Sequence, residues 1–184
     1  MITNNDVQTA TKWEIDKSHT KVEFGTTHLV ISQVTGKFKN FRGSVFSPDD
    51  DFDNAEIYFE VDIDSINTDD EQRDTHLKSD DFFNAGKFPK MIFKGLSMKK
   101  IDENNYKLIG DLTIRDITKQ IELEVLHNGT VQDPWGNTKA GFKISGKLNR
   151  FDFGLKWNAL IETGGAVVGK TVTLNIDLEL NKSA

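Results

Sequence analysis

One segment near the C-terminus matches a motif for phosphate chemistry. Residues 164–171 read GGAVVGKT, which fits the P-loop pattern of nucleotide-binding proteins letter for letter. That chemistry requires a strand before the loop and a helix after it, because the amides at the helix N-terminus bind the phosphates. Here the segment leads into residues 172–180, where apolar and polar residues alternate as in a strand, and only 13 residues follow Thr171. The sequence therefore predicts a glycine-rich connection between strands and no nucleotide site.

The four histidines are the next side chains that could carry out chemistry at neutral pH. His19, His28, His76 and His127 form no His-Glu-x-x-His pair of the zinc proteases. The chain has no cysteine, which excludes disulfides and thiolate catalysis, and it has no Gly-x-Ser-x-Gly elbow. Its 29 acidic residues single out no catalytic pair. We therefore predict no catalytic residue, cofactor or metal ligand, although the fold could bring His19 and His76 together.

The charge of the chain bears on its partners. A formal net charge of −6 argues against nucleic acid or an anionic membrane as the main partner, and no run approaches the roughly 18 apolar residues of a membrane span. Residues 49–81 hold fourteen acidic residues against Arg73 and Lys78. Most of these carboxylates alternate with apolar residues or precede a helix, so we interpret the stretch as a solvated face.

The first eleven residues are polar, contain no Lys or Arg, and lack the apolar core of a signal peptide. We expect residues 1–11 to form a flexible tail ahead of a single domain of residues 12–184. A cytoplasmic location is the favoured expectation. A periplasmic location is the alternative if a leader was removed before this numbering begins.

Strict alternation of apolar and polar residues predicts strands at residues 57–63, 121–125, 142–148 and 172–180. Further strands are expected around residues 22–26, 36–46, 91–100 and 106–114.

Turn and helix signals divide these strands. Residues 103–105 and 133–137 predict turns, and Asn128-Gly129 predicts the end of the strand that reaches Leu126. Residues 68–71 form a capping box, which predicts a helix that ends near Ser79. A short helical turn at 28–33 is also considered.

Many antiparallel strands, one main helix and no internal repeat indicate one all-β domain. We predict a closed antiparallel barrel of about eight strands, because closure removes exposed edges. A barrel of this size either fills its interior with side chains or encloses one small ligand. The 13 phenylalanines fit both interpretations, ordinary core packing and an apolar tunnel.

Several segments together resemble the YceI-like family of lipid-binding proteins. They cover the chain in order from about residue 12 to residue 180. The segments are WEIDKSHT at 13–20, GKF at 36–38, FRG at 41–43, RDTHL at 73–77, DFFN at 81–84, KFP at 87–89, GDLTI at 110–114 followed by Thr118-Lys119, and NRFDFGL at 149–155. The resemblance implies a lipocalin-like barrel whose apolar pore holds a polyisoprenoid or similar amphiphile, and it implies no catalytic residues.

These inferences assign candidate residues. Alternation along the strands predicts that the pore is lined by Phe24, Phe59, Phe93, Leu108, Leu123, Phe142, Ile144, Val172 and Leu174, and Trp157 is assigned to the same lining. The polar residues assigned to the pore mouth are His19, Arg73, Asp74 and His76. The resemblance places the last three where they would serve a head group or a structural network, and we favour the network.

The leading functional hypothesis is therefore a non-enzymatic protein that binds, carries or sequesters a long apolar lipid such as a polyisoprenoid, an isoprenoid quinone or a fatty amphiphile. The alternative is an enzyme acting on an isoprenoid-like substrate, with His19, His76 or Asp74 as acid or base. A third interpretation is a structural barrel with a filled interior. The fold also allows a homodimer, and the sequence pattern does not decide the oligomeric state.

Overall fold

A computed structural model describes residues 10–48, 51–160 and 167–183. Within these residues the chain forms eleven strands, one α-helix and two 3₁₀ turns. The strands in chain order are β1 (Thr11–Ile15), β2 (Lys21–His28), β3 (Ser32–Phe38), β4 (Phe41–Ser47), β5 (Glu56–Asp62), β6 (Ile66–Asn67), β7 (Lys90–Lys100), β8 (Asn105–Ile114), β9 (Ile117–Gln132), β10 (Thr138–Asn149) and β11 (Val168–Lys182). The helix α1 spans Glu71–Lys78, and the 3₁₀ turns lie at Ile63–Ser65 and Arg150–Phe153.

Eight antiparallel strands close into a barrel in the order β1, β4, β5, β7, β8, β9, β10 and β11, and the pairing of β1 with β11 completes the circle. β1 pairs with the C-terminal part of β11 and β2 with its N-terminal part. β3 then pairs with β2, and β6 with β3, so these three strands lengthen the wall at one end. The prediction of an all-β, lipocalin-like antiparallel barrel of about eight strands with one helix is confirmed.

Two predicted elements are wrong because backbone hydrogen bonds bend the chain. Residues 36–46 form two strands and not one, since the amide of Lys39 donates to the carbonyl of Ser65 and the carbonyl of Asn40 accepts from Asp62. The segment 28–33 is a hairpin turn between β2 and β3 and not a helix.

The strand end predicted at Asn128-Gly129 is also wrong, because β9 continues to Gln132. The pairing of β9 with β10 shifts register between Gly141 and Phe142, which leaves Asn128 as the extra residue of a β-bulge. The adjacent Gly129 has a φ of +132°, a conformation that favours glycine. The turns predicted at 103–105 and 133–137 lie between β7 and β8 and between β9 and β10.

The helix α1 begins two residues later than the capping box predicts. Asp70 is its N-cap, and the carboxylate of Asp70 accepts a hydrogen bond from the amide of Arg73. The hydroxyl of Thr68 instead donates to Oδ1 of Asp74 at 2.6 Å. Thr68 therefore ties the helix to the end of β6 and does not cap it.

Large buried side chains close the end of the barrel farthest from β6. Trp13 and Phe52 are at most 1 % exposed, and their ring centroids lie 5.1 Å apart. The ring of Phe142 packs on Phe52 at 4.7 Å and on His127 at 4.8 Å. Burial lowers the pKa of His127. These buried rings thus pack against one another inside that end of the barrel.

Two acidic residues of the stretch 49–81, Glu60 and Asp74, do not fit the predicted solvated face. Glu60 is 4 % exposed because Arg42, Lys90 and Tyr58 cover its carboxylate, each with an atom 2.5 Å away. Burial alone would raise the pKa of Glu60, but the hydrogen bonds from Lys90, Tyr58 and Arg42 outweigh it and hold the pKa at about 2. Glu60 thus links β5 to its two neighbouring strands, β4 and β7, through ion pairs.

The segment that matches the P-loop pattern leads into a strand. Gly164, Gly165 and Ala166 lie outside the described residues, while β11 begins at Val168 and contains Lys170. A strand in this place cannot present helix N-terminal amides to phosphate. Residues 1–9 of the predicted tail also lie outside the described residues, and β1 begins at Thr11. No helix in the described ranges is long and apolar enough to cross a membrane.

Candidate functional site

The interior of the barrel contains an apolar cavity of about 110 Å³. Among the described residues that line it, Glu23 and Tyr58 alone are polar, and they alternate with the inward-facing Phe24 and Phe59. The remaining lining residues are Ile15, Val22, Phe38, Val45, Ile57, Val61, Met91, Phe93, Leu108, Leu112, Ile121, Leu123, Ile144, Leu174, Ile176 and Leu178. Such a surface offers a ligand dispersion contacts and apolar burial, and almost no hydrogen bonds.

Strand glycines keep this interior open. A methyl group on Gly36 would overlap Cζ of Phe24, and one on Gly110 would overlap Cζ of Phe93. The same relation holds for Gly146 beneath Leu123. Each ring or side chain therefore lies flat on the backbone of a neighbouring strand instead of projecting across the barrel. A larger residue at the glycine would push the side chain into the cavity.

A second pocket of about 530 Å³ forms the mouth at the end opposite Trp13 and Phe52. Its walls come from the end of β2, from α1 and from the start of β11, and they include Arg73, His76 and Trp157. Phe24 lines both the mouth and the interior cavity. Phe24 therefore stands at the boundary between the two spaces.

His76 lies in an aromatic setting at the mouth. Its ring meets Trp157 edge-on at a centroid distance of 4.7 Å and Phe82 at 5.1 Å. Nε2 of His76 is 2.8 Å from Oδ2 of Asp81. The mouth thus offers a polar ring atom beside two apolar rings, which suits a ligand end group that has both a polar and an apolar part.

Asp74 and Arg73 are joined through Thr68. Asp74 is buried and accepts hydrogen bonds from the amide and the hydroxyl of Thr68. Arg73 donates from Nε to the Thr68 hydroxyl and from Nη2 to the Thr68 carbonyl, both at 2.8 Å. The network fixes α1 against the barrel wall. Arg73 also lines the mouth, where its half-exposed guanidinium faces the pocket.

Arg150 shapes the mouth, and the sequence reasoning did not select it. It is 3 % exposed and donates to four backbone carbonyls, those of Leu155, Trp157, Val168 and Gly169. In the described part of the chain no carboxylate pairs with it, and burial lowers its pKa. Its bonds join the segment that carries Trp157 to the start of β11. The only sequence signal was its place in the motif NRFDFGL.

His19 lies at the closed end and not at the mouth. The length of β2, about 24 Å, separates it from the end of the barrel where His76 lies. Nδ1 of His19 is 3.0 Å from Oδ2 of Asp16, and the Nζ of Lys139 binds both Asp16 and Glu179, at 2.9 and 2.7 Å. Hydrogen bonds, chiefly from Ser18, hold the pKa of Asp16 well below its ordinary value.

Asp16, His19 and Glu179 bring three metal-ligating groups within 4.8 Å of one another. The ammonium of Lys139 already binds both carboxylates, and their hydrogen bonds raise the pKa of Lys139. This arrangement accounts for the cluster as an ion-pair network that joins β1, β10 and β11.

The other predicted pore residues divide between three places. Phe24, Phe59, Phe93, Leu108, Leu123, Ile144 and Leu174 line the interior cavity. Trp157 lies in the mouth, and Val172 pairs with Thr26 and Leu148 on the wall beside it. Phe142 lies in the cluster that closes the far end.

The profile of the YceI-like domain matches residues 13–180 of this sequence. The chain belongs to the YceI-like family. A relative from Staphylococcus aureus strain N315, the UPF0312 protein SA2479, is 36% identical over 174 residues, which cover 94% of this chain and 99% of that protein.

Solved structures show the same fold. The crystal structure of the YceI protein of Campylobacter jejuni matches with a TM-score of 0.72 at 32% identity, over 86% of this chain and 90% of that one. Two structures of lower identity show the likeness of fold alone. They are BcnA of Burkholderia cenocepacia, with TM-score 0.75 at 20% identity over 90% and 98% of the two chains, and a polyisoprenoid binding domain of Saccharophagus degradans, with TM-score 0.68 at 15% identity over 93% and 98%.

Proposed function

We propose that this YceI-like protein binds one long-chain apolar lipid, with the tail in the barrel interior and the polar end at the mouth. The observation that supports this proposal is the interior itself, an almost wholly apolar cavity that is separated by Phe24 from a mouth with polar side chains. A structural neighbour is described as a polyisoprenoid binding domain, which supports the same ligand class.

The size of the cavity sets a condition on binding. An engineered cavity of about 150 Å³ accommodates benzene, so the present 110 Å³ cannot hold a long tail while every side chain stays in place. Phe24 borders both spaces, and Phe93 lies flat on Gly110. We expect a tail to enter by moving rings of this kind while the hydrogen-bonded wall stays fixed.

The length of the tail should dominate the affinity. Each buried methylene contributes about 0.8 kcal/mol, and one five-carbon isoprene unit therefore contributes on the order of 3 kcal/mol before ordering costs. The head group meets only a few polar partners at the mouth, among them Arg73 and His76.

The enzymatic alternative receives less support from the geometry. Its three candidates do not form one site, because His19 lies at the closed end and the Asp74 carboxylate is held by Thr68. His76 and Asp81 form a pair at the mouth, but a pair of this kind also serves to hold the loop after α1. Membership of the YceI-like family also favours a binding protein over an enzyme.

The test is native mass spectrometry of the purified protein, followed by titration of the stripped protein with geraniol, farnesol and geranylgeraniol. We expect one lipid per chain and an affinity that rises with each isoprene unit. Absence of both co-purified lipid and prenyl-alcohol binding would reject the proposal. Conversion of a bound lipid into a product that His76→Ala abolishes would favour the enzyme.

A further inference from the structure

Three large apolar side chains stand exposed on the rim of the mouth. Val30 is 67 %, Ile31 85 % and Leu160 84 % exposed. They belong to neighbouring segments, because the amide of Leu29 donates to the carbonyl of Val167 and the amide of Val167 donates to the carbonyl of Ala159. We call Val30, Ile31 and Leu160 the apolar rim. Single exposed apolar residues are common on protein surfaces, but a group at the opening of an apolar pocket is not.

The backbone holds the apolar rim outward in an unfavourable conformation. Leu29 and Val30 have φ angles of 49° and 66°, a region that a β-branched residue such as valine adopts rarely. The hairpin is nevertheless fixed, since the amide of Ile31 and the hydroxyl of Ser32 both donate to the carbonyl of His28. Asparagine or glycine would suit this turn better. Such strain at an exposed apolar turn points to a role for its side chains.

The charges around the mouth are unevenly placed. In the described segments 28–36, 156–160 and 167–173 the only charged residues apart from His28 are Lys156 and Lys170. The exposed acidic residues 69–71 lie at the start of α1, which forms another wall of the mouth. Among the described residues of segments 28–36, 156–160 and 167–173, the apolar side chains are thus accompanied by two lysines and no carboxylate. Apolar residues beside lysines are the composition of surfaces that enter the interface of a lipid bilayer.

We infer that the apolar rim inserts into the surface of a phospholipid bilayer and turns the mouth toward it. The inference rests on the proposed function, because a lipid that enters the barrel would then leave the bilayer without crossing water. The walls of the mouth include His28 and Val34, which flank the hairpin, and Val167, which binds it. The bilayer contact and the opening therefore share the same structural elements.

The experiment measures partition of the protein onto phosphatidylcholine vesicles by cosedimentation. The test variant is Val30→Ser/Ile31→Ser, which removes two exposed apolar side chains and should not lower the melting temperature. The matched control is Val131→Ser/Trp135→Ser, since these residues are 65 % and 84 % exposed at the other end of the barrel. We expect the test variant to lose at least about tenfold in partition, because each buried side chain contributes more than one decade of affinity, and the control to stay within about twofold.

Three results would overturn the inference. They are no partition of the wild type, equal partition of the wild type and the test variant, or loss of partition in the control only. A wild-type dimer that the test variant dissociates, found by sedimentation velocity without any vesicle binding, would assign the apolar rim to a second copy instead.

A second arm separates this inference from the proposed function. Farnesol added without vesicles should bind the wild type and the test variant equally, since neither substitution touches the interior cavity. Vesicle partition without farnesol binding would reject the lipid site and leave the bilayer contact standing. Farnesol binding without vesicle partition would reject the bilayer contact alone.

Discussion

Gly36 is the position where one added methyl group should close the proposed lipid site. In Gly36→Ala the new Cβ would overlap Cζ and Cε1 of Phe24 and would lie 2.8 Å from Cγ2 of Thr68. Carbon atoms in contact prefer about 3.5–4.0 Å, so the Phe24 ring must move by about 1 Å or more. The free space available to it is the cavity of about 110 Å³ that it already lines.

Two magnitudes follow from that displacement. Overpacking of a core costs typically about 1–3 kcal/mol, which we expect as the loss in the free energy of unfolding. The affinity for farnesol should fall more sharply. A Phe24 ring displaced into the boundary between mouth and interior occupies the space of about one isoprene unit of the lipid tail. That unit contributes on the order of 3 kcal/mol before ordering costs, so we expect a loss of farnesol affinity of at least tenfold.

Isothermal titration with farnesol and urea denaturation measure the two effects. Gly141→Ala is the matched control, since a methyl group there meets only Cβ of Asn128 at 3.8 Å. Phe24→Leu, combined with Gly36→Ala, removes the clashing ring atoms and should restore binding, a coupling that a double-mutant cycle isolates. Two results would refute the proposed role of Gly36 and Phe24 in the lipid site. One is a folded Gly36→Ala variant with wild-type farnesol affinity, and the other is a failure of Phe24→Leu to restore farnesol binding to that variant.

Other expectations concern the interior, the wall and the rejected motif. Leu123→Trp should remain folded by circular dichroism but lose farnesol binding. Leu126→Trp, on the outer face of the same strand, should retain farnesol binding. Unfolding of Leu123→Trp alone would indicate a filled core. Glu60→Gln should lower the free energy of unfolding by about 2 kcal/mol at pH 7. Measured across pH, the difference in the free energy of unfolding between wild type and variant should vanish as pH falls from about 4.5 to about 2. A carboxyl group with a lowered pKa stabilises the folded state only while it is ionised. A difference that persists at pH 2 would contradict the ion-pair explanation. Arg150→Met should lower the free energy of unfolding by about 3 kcal/mol in the same assay, because four backbone carbonyls lose their donor. An unchanged midpoint of denaturation would contradict that structural role of Arg150. Lys170→Ala should change stability by less than about 0.5 kcal/mol, and magnesium with ATP should not shift the melting temperature of either protein.

The sequence predicted the barrel well because its evidence is local. Alternation at 172–180 identifies a strand with one buried face, and β11 contains that segment. The boundaries were harder. The carbonyl of Asn40 is bound by Asp62, more than twenty residues away, and such a contact leaves no periodic signal. The capping box failed for a different, local reason, since the Thr68 hydroxyl binds the carboxylate of Asp74.

The candidate site was predicted less completely than the fold. Alternation tells which face of a strand points inward, and on that basis Phe24 and Leu174 were assigned to the interior, where the structure places them. It does not tell how far along the barrel a residue lies, so Phe142 was grouped with the pore although it packs at the closed end. His19 and His76 were grouped by residue type, yet the barrel separates them. Gly36 carried a usable signal, a glycine inside a predicted strand, which marks close approach of a neighbouring side chain.

The central claim, that an apolar tail lies inside the barrel, is tested most directly by photocrosslinking. A prenyl probe with a diazirine at the end of its tail is bound, irradiated, and located by peptide mass spectrometry. The account predicts labelling of residues deep in the interior, such as Leu108, Leu123 and Ile144, on the strands β8, β9 and β10. Labelling confined to the mouth, or to the outer face of those strands, would contradict it.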